Sequence, residues 1–227
     1  MTISAILFGS IGTLVETSEH QRHAFNRAFR DSGLDWNWDQ PTYRDLLAVS
    51  GGQNRIRLYA ERRGDVLDVA EVHRLKTQHF DNGMEIGGLE ARPGVLDVMR
   101  WAVSEGVKTA FVTSTSQENI DVTFKALGNT LTADDFDLVT NATMVAALKP
   151  APDIYNYALD QLGIDAADAI AIEDTGKSLK APVAAGIRSI AFPGANTLRQ
   201  NYGAAIHVVD RLSPDLFVSS DEHVEAA

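Results

Sequence analysis

The sequence predicts an α/β fold: a doubly wound, Rossmann-like parallel sheet with a small all-helical domain inserted into it. Three observations lead there. Short continuous apolar runs recur along the chain, as strands buried on both faces of a parallel sheet require. Amphipathic helical periods fall between those runs. One long segment near the N-terminus breaks the alternation and carries helical periods only.

In chain order, strands are expected at 3–8, 108–113, 136–139, 169–172 and 188–192, with a weaker run at 205–209. Helices are expected over 94–105, 117–127 and 153–162. From about 17 to 88 no strand is expected. There "SEHQRHAFNRAFRDSG" spaces Phe25 and Phe29 four apart on one helix face, with Ser18 as the cap and Gly33 as the stop. The turn "GGLEARPG" then returns the chain to the sheet. The expected organisation is an α/β core of residues 1–16 and 89–227, carrying a helical cap domain of residues 17–88. Sites in such sheets lie at the carboxyl ends of the strands.

Composition narrows the chemistry. The 227 residues are 44% hydrophobic and 22% charged, a globular makeup long enough for a large domain with a smaller one attached. Cysteine is absent, so disulfides, thiolate nucleophiles and zinc-thiolate sites are excluded, and a metal here would be held by oxygen or histidine. A hard cation such as Mg²⁺ is then the default. The formal charge of −11 argues against nucleic acid, whose phosphates need Lys and Arg to neutralise them. No apolar stretch approaches the ~20 residues that span a bilayer, so no membrane partner is expected. The start "MTISAIL" lacks the three segments of a signal peptide, which places the chain in the cytoplasm. There is no internal repeat and no low-complexity tract.

Four loops at expected strand ends carry chemistry. "GSIGT" offers backbone amides with Gly12 and Thr13 as an anion cradle. "VTSTS" sets Thr113 and Ser114 before a helix, where hydroxyls and free amides can grip phosphate oxygens. "LKPAPDIY" supplies Lys149, a point charge for phosphate, at a proline-fixed helix entry. "IAIEDTGKS" brings out Glu173 and Asp174, adjacent carboxylates able to hold Mg²⁺. Each has a bland alternative: Thr113 and Ser114 as helix caps, Lys149 as a solvated lysine, Glu173 and Asp174 as caps of the next helix. Asp153 reads as a helix start and Tyr155 as packing. Convergence of all four loops on one sheet edge favours a site. A P-loop reading of "DTGKS" fails, because position 171 is alanine where a glycine is required, and "GSIGT" lacks the third glycine of a dinucleotide fingerprint.

The ordered set "LFGSIGTLVET", "VTSTS", "LKPAPDIY" and "IEDTGKSLKAPVAAGI" resembles the haloacid-dehalogenase-like (HAD) superfamily. Within it the chain is similar to the branch of CbbY-type sugar-bisphosphatases and beta-phosphoglucomutases, on "QRHAFNRAF", "LDWNWD" and "SGGQNRI". The resemblance implies a phosphatase on phosphorylated sugars, Mg²⁺-dependent, with the helical insertion as its cap. It also implies a first loop Asp-x-Asp-Gly-Thr, whose first Asp attacks phosphorus and binds Mg²⁺ and whose second is the general acid and base. Here those positions are Gly9 and Ile11. Glycine cannot form an aspartyl-phosphate. Isoleucine cannot shuttle a proton, an effect worth about 10²- to 10⁴-fold. Ser10 is not expected to substitute, because neighbouring side chains on an extended segment point to opposite sides. Other departures are Thr143 in a usual Asp place, Gln53 for a lysine, Lys177 and Ser178 for Asn-Gly, and Pro182. Lys177 is a candidate counter-ion for Glu173 or Asp174.

These residues together point to a homologue of the sugar-phosphatase branch, catalytically disabled, that retains phosphate or sugar-phosphate binding through Gly12, Thr13, Thr113, Ser114 and Lys149, with a weakened Mg²⁺ site at Asp174 and Glu173. One alternative is an active phosphohydrolase in which Mg²⁺ delivers water directly. Another is a protein-interaction module without a ligand. Nothing in the sequence identifies a protein partner.

Overall fold

The computed structural model describes residues 3–49, 51–87 and 89–218. Its first strand, β1 (Ala5–Phe8), is fully buried and runs into a single helical turn, α1 (Ile11–Leu14). Four helices come next: α2 (Ser18–Asp31), α3 (Gln40–Leu46), α4 (Gly52–Arg63) and α5 (Val69–Gly87). Helices and strands then alternate through α6 (Val95–Glu105), β2 (Lys108–Phe111), α7 (Gln117–Leu127), β3 (Leu138–Val139) and α8 (Asp153–Leu162). The last elements are β4 (Ala169–Glu173), α9 (Lys180–Ala184), β5 (Arg188–Ala191) and β6 (His207–Val208).

All six strands pair in parallel in the order β3-β2-β1-β4-β5-β6, the α/β architecture that the apolar runs imply. Register sets where the loops emerge. Phe8 lies opposite both Phe111 and Ile172, so the loops leaving β1, β2 and β4 start side by side at one edge. Beneath them Leu7, Val112, Ile154, Ala158 and Ala171 form a dry core between sheet and α8. Removing these side chains from water is the main favourable term, roughly 25 cal/mol per Å² of apolar surface.

The strands lie where expected but most are shorter. Thr113 and Phe192 fall outside the ladders, and the 136–139 run contracts to β3 because Phe136 instead closes a 3₁₀ turn and packs edge-on against Phe8. α7 and α8 have the expected bounds, while α6 starts one residue late because Gly94 adopts φ +84°.

By contact the chain divides into two compact units, residues 1–16 with 89–227, and residues 17–88. At the insertion point Val15 and Ala91 form an antiparallel bridge, so the chain leaves and re-enters the sheet unit at one place. In the 17–88 unit, Phe25, Phe29, Trp36, Trp38 and Tyr43 are buried together, with ring centroids 4.7 Å apart for Phe25 and Trp38. Asn26 fixes this cluster by accepting from the Trp38 amide at 2.8 Å and donating to its carbonyl at 2.9 Å. Ser18 is not the cap of α2: Thr17 occupies that position and Ser18 is the first helical residue.

Candidate functional site

The three loops that start in register, joined by the turn before α8, enclose a cleft of about 380 Å³. Gly9, Ser10, Ile11, Gly12, Thr113, Ser114, Lys149, Asp174 and Lys177 are among the residues on its wall. Thus most of the residues picked from sequence do meet. Two do not line it. Thr13 is fully buried and its hydroxyl donates to the Ser10 carbonyl at 2.7 Å, closing the α1 turn, so it offers an incoming anion nothing. Glu173, the last residue of β4, is also fully buried and turns inward beneath the cleft while its neighbour Asp174 faces it.

Thr113 and Ser114 are not helix caps, because Ser116 takes that position and accepts from the Asn119 amide. Thr113 is instead held by Thr140, whose hydroxyl accepts from the Thr113 amide at 3.0 Å. Nor is Lys149 a solvated lysine. Its ammonium is buried and donates to Glu173 Oε1 at 2.7 Å and the Val112 carbonyl at 2.7 Å, and it also reaches the Gly9 carbonyl. Burial lowers its pKa in spite of the Glu173 charge that pulls the other way. Tyr155 does more than pack: its phenol donates to Glu173 Oε1 at 2.8 Å, and burial with that carboxylate raises the phenol's pKa well above its ordinary value. Lys177 is exposed, and among the described residues it forms no ion pair, so the counter-ion of Glu173 is Lys149 and not Lys177.

Asp174 packs its carboxylate against the bare backbone of Gly12, where a Cβ would come within 1.9 Å of Oδ2. This contact explains why glycine stands at 12. Burial, then the nearby Glu173 charge, pushes the Asp174 carboxyl up to about 6, and a 2.7 Å hydrogen bond from the Ser10 hydroxyl opposes the rise. Ser10 therefore does turn toward the acidic loop, contrary to the alternation expected of an extended segment, because α1 begins immediately after it. Tyr202 and Thr197 donate to the Asp174 carbonyl, each at 2.9 Å, and pin its backbone.

Sequence reasoning missed Arg92, which reads there only as part of a returning turn. Its guanidinium donates to the carbonyls of Gly12, Phe192 and Pro193 at 2.6–2.7 Å and lies over the Phe192 ring, tying the first loop to the one after β5. A buried arginine satisfied by three carbonyls leaves no local sequence pattern. Within the 17–88 unit, Arg55, His73 and Lys76 crowd together. Burial, then the Arg55 charge, lowers Lys76 to about 8, and its ammonium sits 4.7 Å over the Phe80 ring.

The donor set does not fit a divalent metal as the resemblance would have it. Position 9 offers no carboxylate, and Glu173 Oε1 is taken by Lys149 and Tyr155. Asp174 is then the one acidic side chain on the cleft wall, and no group of three His, Asp or Glu able to hold a metal occurs among the described residues. Glu173 Oε2 has no hydrogen-bond partner among them, but it is sealed beneath the cleft beside a buried ammonium.

A family model described as haloacid dehalogenase-like hydrolase matches residues 6–192, from β1 past the end of β5. The chain belongs to that family. It is 39% identical over 211 residues to the protein CbbY of Cereibacter sphaeroides, covering 92% of each chain. It is 34% identical over 227 residues to CbbY of Rhodobacter capsulatus, covering 99% of this chain and 98% of that one. Among solved structures, CbbY from Rhodobacter sphaeroides in complex with phosphate superposes with a TM-score of 0.75 at 38% identity, over 92% of this chain and 95% of that one. A mutant of the same protein, solved in complex with xylulose-(1,5)bisphosphate, gives the same values. This chain is thus a homologue of CbbY-type HAD sugar phosphatases, and its fold is theirs.

Proposed function

We propose that this CbbY-type homologue binds inorganic phosphate or a small phosphorylated sugar and does not turn it over by its family's covalent route. The observation that carries the reading is the pairing of a preserved cleft with a vacated nucleophile position. Thr113, Ser114 and the amides around Gly12 remain arrayed at one sheet edge, while Gly9 and Ile11 stand where the resemblance places the nucleophile and the proton shuttle. A missing nucleophile removes the two-step path. A missing acid and base removes about 10²- to 10⁴-fold more. Residues 17–88 would serve as the cap. On this reading the protein acts in the cytoplasm, in sensing or partner regulation.

The test is calorimetric titration with inorganic phosphate and with xylulose-(1,5)bisphosphate, run beside a phosphate-release assay on the same sample. Binding without release, weakened by Thr113→Ala and Ser114→Ala, is the expected outcome. Chelator-sensitive release by the native chain would overturn it, since some other group would then be activating the nucleophile.

A further inference from the structure

A side chain at residue 9 has no room in this molecule. A Cβ added to Gly9 would lie 2.3 Å from the Glu173 carboxylate carbon, 2.3 Å from Glu173 Oε1 and 2.3 Å from the Tyr155 hydroxyl. Real Cβ atoms do not make such contacts, so at least two side chains would have to move. Neither is idle. Glu173 and Tyr155 are both fully buried, they are hydrogen-bonded to each other at 2.8 Å, and Glu173 is ion-paired to Lys149 at 2.7 Å. The absent side chain is therefore replaced by a bonded group with its own cation.

We propose that the Glu173 carboxylate, positioned by Tyr155 and Lys149, fills the space of a residue-9 side chain with the Lys149 ammonium as its permanent counter-ion, so that the cleft takes its anion without a divalent metal. The charges agree with the geometry. Lys149 offsets Glu173, leaving a single carboxylate, Asp174, on the wall, and a divalent ion there would face a buried ammonium across a short low-dielectric gap. Tyr155 is a positioning residue in this arrangement, because its hydroxyl is the tether that keeps Glu173 turned inward. The final clause, that an anion is taken, rests on the proposed function. The exclusion of metal does not.

Two measurements keep these apart. The first is the melting temperature (Tm) of the native chain against millimolar Mg²⁺, which is expected not to move. A Mg²⁺-dependent rise abolished by Asp174→Asn would overturn the proposal whatever happens with phosphate. Gly9→Asp alone is expected to lower the Tm and gain little Mg²⁺ response. With Tyr155→Phe added, the hydroxyl tether on Glu173 is gone and only the Lys149 pair still holds it, so a Mg²⁺-dependent rise larger than that of Gly9→Asp alone is expected. A folded double variant with no such rise refutes the tether. Should that variant fail to fold, Gly9→Ala and Tyr155→Phe carry the same test: the losses in Tm must be less than additive if the two positions compete for one space, and additivity refutes it. The second measurement is phosphate titration of the native chain in chelator and in Mg²⁺. Equal affinity supports metal-free binding, and binding only with Mg²⁺ overturns it. Absence of binding in both sinks the proposed function, while the Tm series still decides the metal question.

Discussion

Replacing Lys149 with methionine should expose how strongly the cleft floor depends on its internal cation. Met keeps most of the apolar stem and removes the ammonium that Glu173, Val112 and Gly9 share. The Lys149 side chain is 8% exposed and that of Glu173 0%, so water from the cleft solvates the buried carboxylate poorly once the ammonium is gone. Removing one member of a buried pair costs about 3–5 kcal/mol, because the remaining charge is stranded. For a chain of this size that corresponds to a Tm fall of roughly 6–20 °C, at about 2–4 °C per kcal/mol. Urea denaturation of Lys149→Met, Glu173→Gln and the double variant measures the effect. The bonds to the Gly9 and Val112 carbonyls are lost in both lysine variants, so the double-mutant coupling isolates the pair. The double variant should recover roughly 2 kcal/mol or more relative to Lys149→Met alone. A single-variant loss below about 1 kcal/mol, or additivity, would refute the account, since that is the size expected of a solvated pair.

Three further outcomes are expected. Asp174 has its carboxyl raised from 3.8 to about 6, so the folded chain holds a proton that the unfolded chain has released between those values. The stability linked to it is present below about pH 4 and lost as pH rises through about 6, up to roughly 3 kcal/mol, and urea midpoints of Asp174→Asn should lack this slope. Lys76 is lowered from 10.5 to about 8, so the unfolded chain binds the extra proton, and stability should rise as pH climbs from about 8 to 10.5. Lys76→Met should flatten that rise in thermal melts while keeping the contacts to Phe25 and Phe80. Gly94→Ala should lower stability by about 2 kcal/mol or more in urea denaturation, because a Cβ there combines φ +84° with a 1.8 Å approach to the Leu212 carbonyl. A loss of only a few tenths would mean that the turn before α6 yields easily.

Much of the site is legible in the sequence because strand ends are local events. The apolar runs ending near Phe8, Phe111 and Ile172 mark where loops begin, and parallel register then brings the loops together. The misreadings share another cause. Residue type alone misplaces Thr13 and Glu173, because their roles depend on which way each side chain turns and on what lies across the sheet from it. Thr13 closes its own turn, while Glu173 and Lys149 meet across 24 residues of chain. Arg92 is further still from local pattern, since two of its three carbonyl partners lie about 100 residues away.

By itself the sequence determined the α/β class, the family and the absence of carboxylates at positions 9 and 11, because periodicity and residue chemistry are properties of short stretches. Only the tertiary structure decided what that absence means. A glycine in a sequence is a missing side chain. In the fold it is a space, and neighbours from β4, α8 and the turn before α8 have filled it with a carboxylate, a phenol and an ammonium bonded to one another through Glu173 Oε1 beneath the cleft. Close packing and the cost of an unpaired buried charge act only between residues that folding has brought into contact.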